Sequence, residues 1–131
     1  MAARGADWLR QAEADLDHAR HAGAGGHFEW ACFAAQQSAE KAAKALHLSL
    51  GDEAWGHSVT ELLEALRDRL PSVDQSLLDR ARALDKLYVP TRYPNGLPAG
   101  APTDYFTSGE AERALADAEA ILAFCRGKLP R

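Results

Sequence analysis

Four prolines, at positions 90, 94, 98 and 102, stand four residues apart in a chain that elsewhere reads as helix. Each lacks the N–H that a helix interior uses and clashes with the carbonyl one turn back. Glycines at 96 and 100 add to the break. The stretch from about Tyr88 to Thr107 is therefore expected to be a loop with no helix in it. Loops this long in a compact domain are either functional or disordered. This one carries Tyr88, Tyr93, Tyr105, Phe106 and Arg92, residue types that stack, pack and hold anions, so it reads as ordered.

Helical periodicity fills the chain on both sides of the break. A first helix runs from about Gly5 to His21, with Leu9, Ala12, Leu16 and Ala19 on one face, and Gly23, Gly25 and Gly26 end it. A second, about His27 to Leu50, carries Phe28, Cys32, Ala35, Ala39, Ala42 and Leu46 along one seam. Trp30 and Phe33 add another apolar strip, the pattern of a central or interface helix. The third opens at Ser58, with Glu61 completing a capping box, and runs to Pro71 behind Val59, Leu62, Leu63, Leu66 and Leu70. Val73 to Leu87 forms a fourth, and Thr107–Glu110 caps a last one that reaches Gly127. No period-two pattern occurs. The expected fold is all-α: an up-and-down bundle of four or five helices, one domain over 1–131, with a long ordered loop before the last helix.

Charge and composition narrow the function. The net charge of -4 gives no global field that would draw nucleic acid, so any phosphate site must be local. Cys32 and Cys125 lack CxxC spacing and fall on apolar faces, as buried reduced thiols do. The five histidines are scattered, and no Glu-x-x-His pair suits a di-metal bundle, so neither a metal nor a cofactor is expected. Walker, G-x-G-x-x-G and G-x-S-x-G motifs are missing. No apolar run reaches the roughly 20 residues of a membrane span. With no apolar h-region behind Trp8 either, the expectation is a cytoplasmic protein without a membrane partner.

Three groups of residues are candidates for binding. On the second helix Gln36, Gln37, Glu40, Lys41, Lys44 and His47 form a polar stripe, which is either a solvated face or a groove where Gln37, Lys41 and Lys44 offer donors to phosphate. Lys86 stands near the end of the fourth helix, where the dipole favours a cation in any case. The loop holds Arg92 between Tyr88 and Tyr93, and Tyr93-Pro94-Asn95-Gly96 has the composition of a β-turn with Pro second. Arg92 either caps helix carbonyls, pairs with Asp85, Asp104 or Glu40, or binds an anion while Tyr88 or Tyr93 stacks on a base.

Taken in order, Trp8-Leu9, then Ala35-Gln36-Gln37-Ser38-Ala39-Glu40-Lys41-Ala42-Ala43-Lys44, then His57-Ser58, then Asp85-Lys86-Leu87-Tyr88-Val89-Pro90-Thr91-Arg92-Tyr93-Pro94-Asn95 resemble the HEPN-domain family. The family is named for higher eukaryotes and prokaryotes and for nucleotide binding. The form resembles its Arg-Tyr-Pro branch. The resemblance implies a homodimer and frequent pairing with a small nucleotidyltransferase protein, as in toxin–antitoxin-like operons. Many members are metal-independent RNases that use an arginine followed shortly by a histidine. Here Tyr-Pro-Asn-Gly-Leu-Pro-Ala-Gly follows Arg92, so the expectation leans away from an enzyme and toward a module that binds a nucleotide or RNA. The alternatives are an RNase with His57 or Tyr93 in the proton-transfer role, and a structural subunit anchored by Trp30, Phe33 and Trp55.

Overall fold

Alanine sets the geometry at the centre of the molecule. A computed structural model describes residues 4–129. Its helices are α1 (Gly5–Ala24), α2 (Phe28–Ser49), α3 (Val59–Glu64), α4 (Gln75–Asp85), α5 (Pro102–Tyr105) and α6 (Ser108–Lys128). No strand occurs among the described residues. The central helix is α2, which packs against α1 and α6 along its length and meets α3, α4 and α5. Ala31, Ala35, Ala39, Ala42, Ala43 and Ala45 of α2 are fully buried, and their small side chains let its neighbours come close. Where α1 begins, a Cβ built on Gly5 would stand 3.0 Å from the Ala45 carbonyl oxygen. Further along the same crossing the Ser38 hydroxyl donates to the Ala12 carbonyl at 2.6 Å. Leu16, Leu46, Leu63, Leu66, Leu78, Leu84 and Ile121 complete the core.

Several boundaries differ from the sequence expectation, each for a local reason. α1 continues through Gly23 to Ala24, and the reversal falls to Gly26 at φ 81. α3 is short: beyond Glu64 the chain winds in tighter turns, with Leu66 and Arg67 bonding three residues back. Leu66 still points inward and is fully buried. α4 starts two residues later than expected because Asp74 caps it, accepting from the Leu77 amide at 2.9 Å. The proline segment is not free of helix. Pro94–Gly96 makes a 3₁₀ turn that follows Tyr93 as its N-cap and is closed by the Leu97 amide on the Pro94 carbonyl. Pro102 opens the single turn of α5, a position whose N–H has no helical partner anyway. The capping box at Thr107 is complete, Thr107 and Glu110 each accepting from the other's amide, whereas at Ser58 half of it forms: the hydroxyl accepts from the Glu61 amide.

Candidate functional site

The site begins where α4 ends. Past Asp85 the chain stays wound for one more turn, and the buried Thr91 hydroxyl donates to the Leu87 carbonyl at 2.6 Å. Arg92 completes the cap: its Nε and Nη2 donate to the Tyr88 carbonyl at 2.9 and 2.6 Å. Of the readings open for Arg92, the ion pairs do not form among the described residues, and the carbonyl it caps is that of Tyr88, in the turn that follows α4. Aromatic rings surround the guanidinium instead. Its Cζ lies 4.4 Å from the Phe33 ring centroid, 4.6 Å from Tyr88 and 5.1 Å from Tyr93. The planar cation is thus held by stacking and by one carbonyl, and Nη1 has no hydrogen bond among the described residues.

A second chain of contacts leads inward from the same rings. His57 stacks on Tyr88 with centroids 4.7 Å apart and planes 18° from parallel. Its Nδ1 faces both oxygens of Glu40 at 3.3 Å, so against an ionised carboxylate Nδ1 carries the proton. Glu40 is only 4% exposed, and a buried carboxylate needs partners. It receives Lys44 Nζ at 3.1 Å and Gln36 Nε2 at 3.3 Å, with Gln37 Nε2 at 3.4 Å. Gln36 also donates to the His57 carbonyl, which fixes the backbone that carries the imidazole. Asp85 ties the two walls together. Its carboxylate accepts from Ser58 Oγ, the Val59 and Thr60 amides and Thr60 Oγ1, so a residue at the end of α4 caps the start of α3.

The seven candidate residues therefore do not form one cluster. Arg92, Tyr88 and Tyr93 stand together. Gln37 hydrogen-bonds Gln36 and Glu40, and Glu40 reaches Tyr88 through His57. Lys41 is paired with Asp15 of α1, and Lys44 is buried on Glu40 with its ammonium 5.7 Å from the Trp8 ring. Lys86 is exposed and lines a separate cleft with Phe106, Glu110 and Arg113. The polar stripe of α2 is thus neither a solvated face nor a row of free donors in its inner part, because Gln36, Glu40, Lys44 and His47 are buried.

Phe33, Glu40 and Asp85 are the structural additions to the site. Phe33 has its only sequence signal in the second apolar strip of α2. Asp85 gives none as a cap, since its partners lie some 25–27 residues away in sequence. Trp30 packs edge-on against Phe33 at 6.1 Å and remains 48% exposed, and Trp55 is 79% exposed. Both cysteines are free and buried, and burial pushes each thiol up to about 12. Among the described residues no group of three His, Cys, Asp or Glu side chains is placed to hold a metal, and no helix is long and apolar enough to cross a membrane.

Comparison with known proteins places this geometry in a context. The sequence model of the HEPN domain matches residues 6–128. The solved structure of TT1696 from Thermus thermophilus superposes with a TM-score of 0.94 at 49% identity, covering 98% of this chain and 100% of that one. ST0689, described as an archaeal HEPN homologue, gives 0.82 at 41% identity over 97% and 98% of the two chains. A HEPN domain protein, TM0613 from Thermotoga maritima, gives 0.76 at 39% identity over 92% and 95%. No curated protein matches the chain.

Proposed function

The chain belongs to the HEPN-domain family, and from that premise we propose that it is a nucleotide- or RNA-binding helical module that seats a ligand phosphate on Arg92. One observation carries this reading: a guanidinium fixed by Tyr88 and three aromatic rings, with no carboxylate to neutralise it among the described residues. A structural cap needs only the hydrogen bonds to Tyr88; the aromatic surround and the unused Nη1 suit a bound anion. Tyr93, half exposed beside the cation, offers a face to a base. The protein works as a homodimer and pairs with a small nucleotidyltransferase in a toxin–antitoxin-like unit. The exposed Trp55, on a connection flanked by Gly51 and Gly56, suits an anchor for such contacts.

Isothermal titration with ATP, GTP and a short RNA tests the phosphate seat. Wild type binds at least one of them, and Arg92→Ala loses about tenfold or more, the share of one charge-assisted contact. Equal binding by both proteins rejects the site. Co-purification with a nucleotidyltransferase encoded beside the gene tests the partner, and its failure to bind rejects that part alone.

The position of His57 favours a second reading, a metal-independent RNase. An imidazole oriented by a buried carboxylate and stacked on Tyr88, the ring that Arg92 also meets, is an arrangement suited to proton transfer, even though no histidine follows Arg92 in sequence. RNA cleavage in EDTA that disappears in both Arg92→Ala and His57→Ala would promote it.

A further inference from the structure

The cleft that holds Lys86 lies between the end of α4 and the first half of α6 and encloses about 400 Å³. Leu87 and Phe106, half-buried and packed against the core, give it an apolar lining. Lys86, Glu110, Arg113 and Asp117 bring the charge. Both acids already have partners. Glu110 Oε1 accepts from the Thr107 amide at 3.0 Å and from its hydroxyl at 3.2 Å, and Asp117 Oδ1 accepts from Arg80 Nη1 at 3.0 Å. The two cations have none: among the described residues neither the Lys86 nor the Arg113 side chain makes a hydrogen bond or an ion pair. Arg113 has Glu110 three residues before it and Asp117 four after, the spacings at which helical ion pairs form, and takes neither. Its Nη1 lies instead over the first turn of α6, 3.4 Å from where a Cβ on Gly109 would stand. We propose that this cleft binds a small organic carboxylate with an apolar body, its charge held by Lys86 and Arg113 and its body laid on Phe106 and Leu87.

Elsewhere exposed arginines close ion pairs along or between helices, as Arg20 does with Asp17 and Glu119 and Arg126 with Glu13. Two unpaired cations on one cleft, in a chain of net charge -4, therefore make a local site for an anion. Its size selects a small ligand, since pockets for such molecules run from roughly 300 to 1,000 Å³. Its charge selects a monoanion. Lys86 and Arg113 attract a single negative charge, while a second one, as on a phosphate dianion, is opposed by Glu110 and Asp117 on the same cleft. A carboxylate also matches the planar donor fork of Arg113, whose nitrogens are all free. These features separate the cleft from the Arg92 seat, where three rings surround one cation and no carboxylate is paired with it among the described residues.

Amide NMR titrations of the full chain test this with benzoate, N-acetylphenylalanine, benzamide and phenyl phosphate. The first two stand for a free acid and for the C-terminal carboxylate of a peptide, and the tighter of them identifies the source. Both move the amides of Lys86, Leu87, Phe106 and Arg113. Benzamide, with the same ring and no charge, binds about fivefold or more weakly than benzoate, and phenyl phosphate binds no tighter than the carboxylates. Arg113→Gln and Lys86→Gln each weaken benzoate about fivefold, whereas Arg82→Gln, outside the cleft, leaves its affinity unchanged. All three side chains are exposed, so the variants keep the wild-type melting temperature. No shift of the cleft amides by either carboxylate up to about 20 mM overturns the proposal. Equal binding of benzoate and benzamide, tighter binding of phenyl phosphate, or wild-type affinity in both Arg113→Gln and Lys86→Gln does the same. Shifts centred on Arg92 and Tyr93 instead assign the anion to the other seat and also overturn it.

Discussion

Replacing Asp85 by alanine should destabilise the protein by about 2–3 kcal/mol. The carboxylate accepts from Val59 N at 2.8 Å, Thr60 N at 3.0 Å, Thr60 Oγ1 at 2.6 Å and Ser58 Oγ at 3.0 Å. The two hydroxyls turn to water when Asp85 is removed and lose little. The two amides belong to the first turn of α3, where no helical carbonyl is available to them. A hydrogen bond to a charged acceptor contributes about 1.5–3 kcal/mol and a helix cap about 0.5–2 kcal/mol. The four bonds share one side chain and do not add, which sets the total near the middle of that range. Asp85→Asn keeps one acceptor oxygen but turns an NH₂ toward donors, and loses about 1–2 kcal/mol. Asp79→Ala is the control: on the same helix, exposed and bonded to the exposed side chains of Arg82 and Gln75, it stays within about 0.5 kcal/mol. Urea unfolding followed by circular dichroism measures all three, and the Asp85→Ala midpoint falls by roughly 6–15 °C in a thermal scan. A loss below about 0.5 kcal/mol for Asp85→Ala, the ordinary value for a surface change, refutes the reasoning.

The buried pair of Glu40 and Lys44 gives a second expectation. Glu40→Gln strands the Lys44 ammonium at a cost of about 3 kcal/mol, and adding Lys44→Met restores most of it in a urea double-mutant cycle. With thiols pushed up to about 12, Cys32 and Cys125 carry almost no thiolate at pH near 8. A thiol reagent should therefore modify the folded protein only as fast as it opens, and prompt labelling without denaturant would contradict the burial. Burial raises the Asp117 carboxyl above its ordinary 3.8 in spite of Arg80 beside it. The folded state then holds this proton at higher pH than the unfolded chain does. Its contribution to stability is present below the ordinary value and lost as pH rises through the raised one, and Asp117→Asn removes that slope. An NMR titration that places Asp117 below 3.8 would reverse the sign.

The helices, their caps at Ser58 and Thr107 and the place of the break are legible in the sequence because each rests on interactions within a turn or two. The role of Lys44 is not. Glu40 four residues earlier is visible as a favourable pair, but nothing local says that both are buried against Trp8 and His57. Phe33, His57 and Tyr88 meet across three separate segments, and only packing around α2 brings them to one place. The length of α3 fails for a related reason. Its apolar spacing continues past Glu64, but the chain satisfies it with tighter turns that bury Leu66 just as well. Local pattern fixes which residues face inward more firmly than it fixes the hydrogen-bonding of the turn that carries them.

On the proposed function, Arg92 as a cap on the Tyr88 carbonyl and Arg92 as a phosphate seat are the same arrangement at two stages. Free in solution, an arginine side chain loses about 2 kcal/mol of rotamer freedom when it is fixed on a ligand. Here Nε and Nη2 are already held on the Tyr88 carbonyl, and the plane already lies among Phe33, Tyr88 and Tyr93. Ordering has been completed by folding, so an anion meeting Nη1 gains its contact without that loss. The prolines serve the same end from the other side. Pro90 and Pro94 bracket Arg92, and Pro94 restricts the residue before it to extended backbone; Tyr93, at φ −131 and ψ 139, conforms. A flexible loop of the same length could also cap α4, but its cation would sample many positions. On that proposal, stiffness around Arg92 matters more to recognition than to the stability of the bundle.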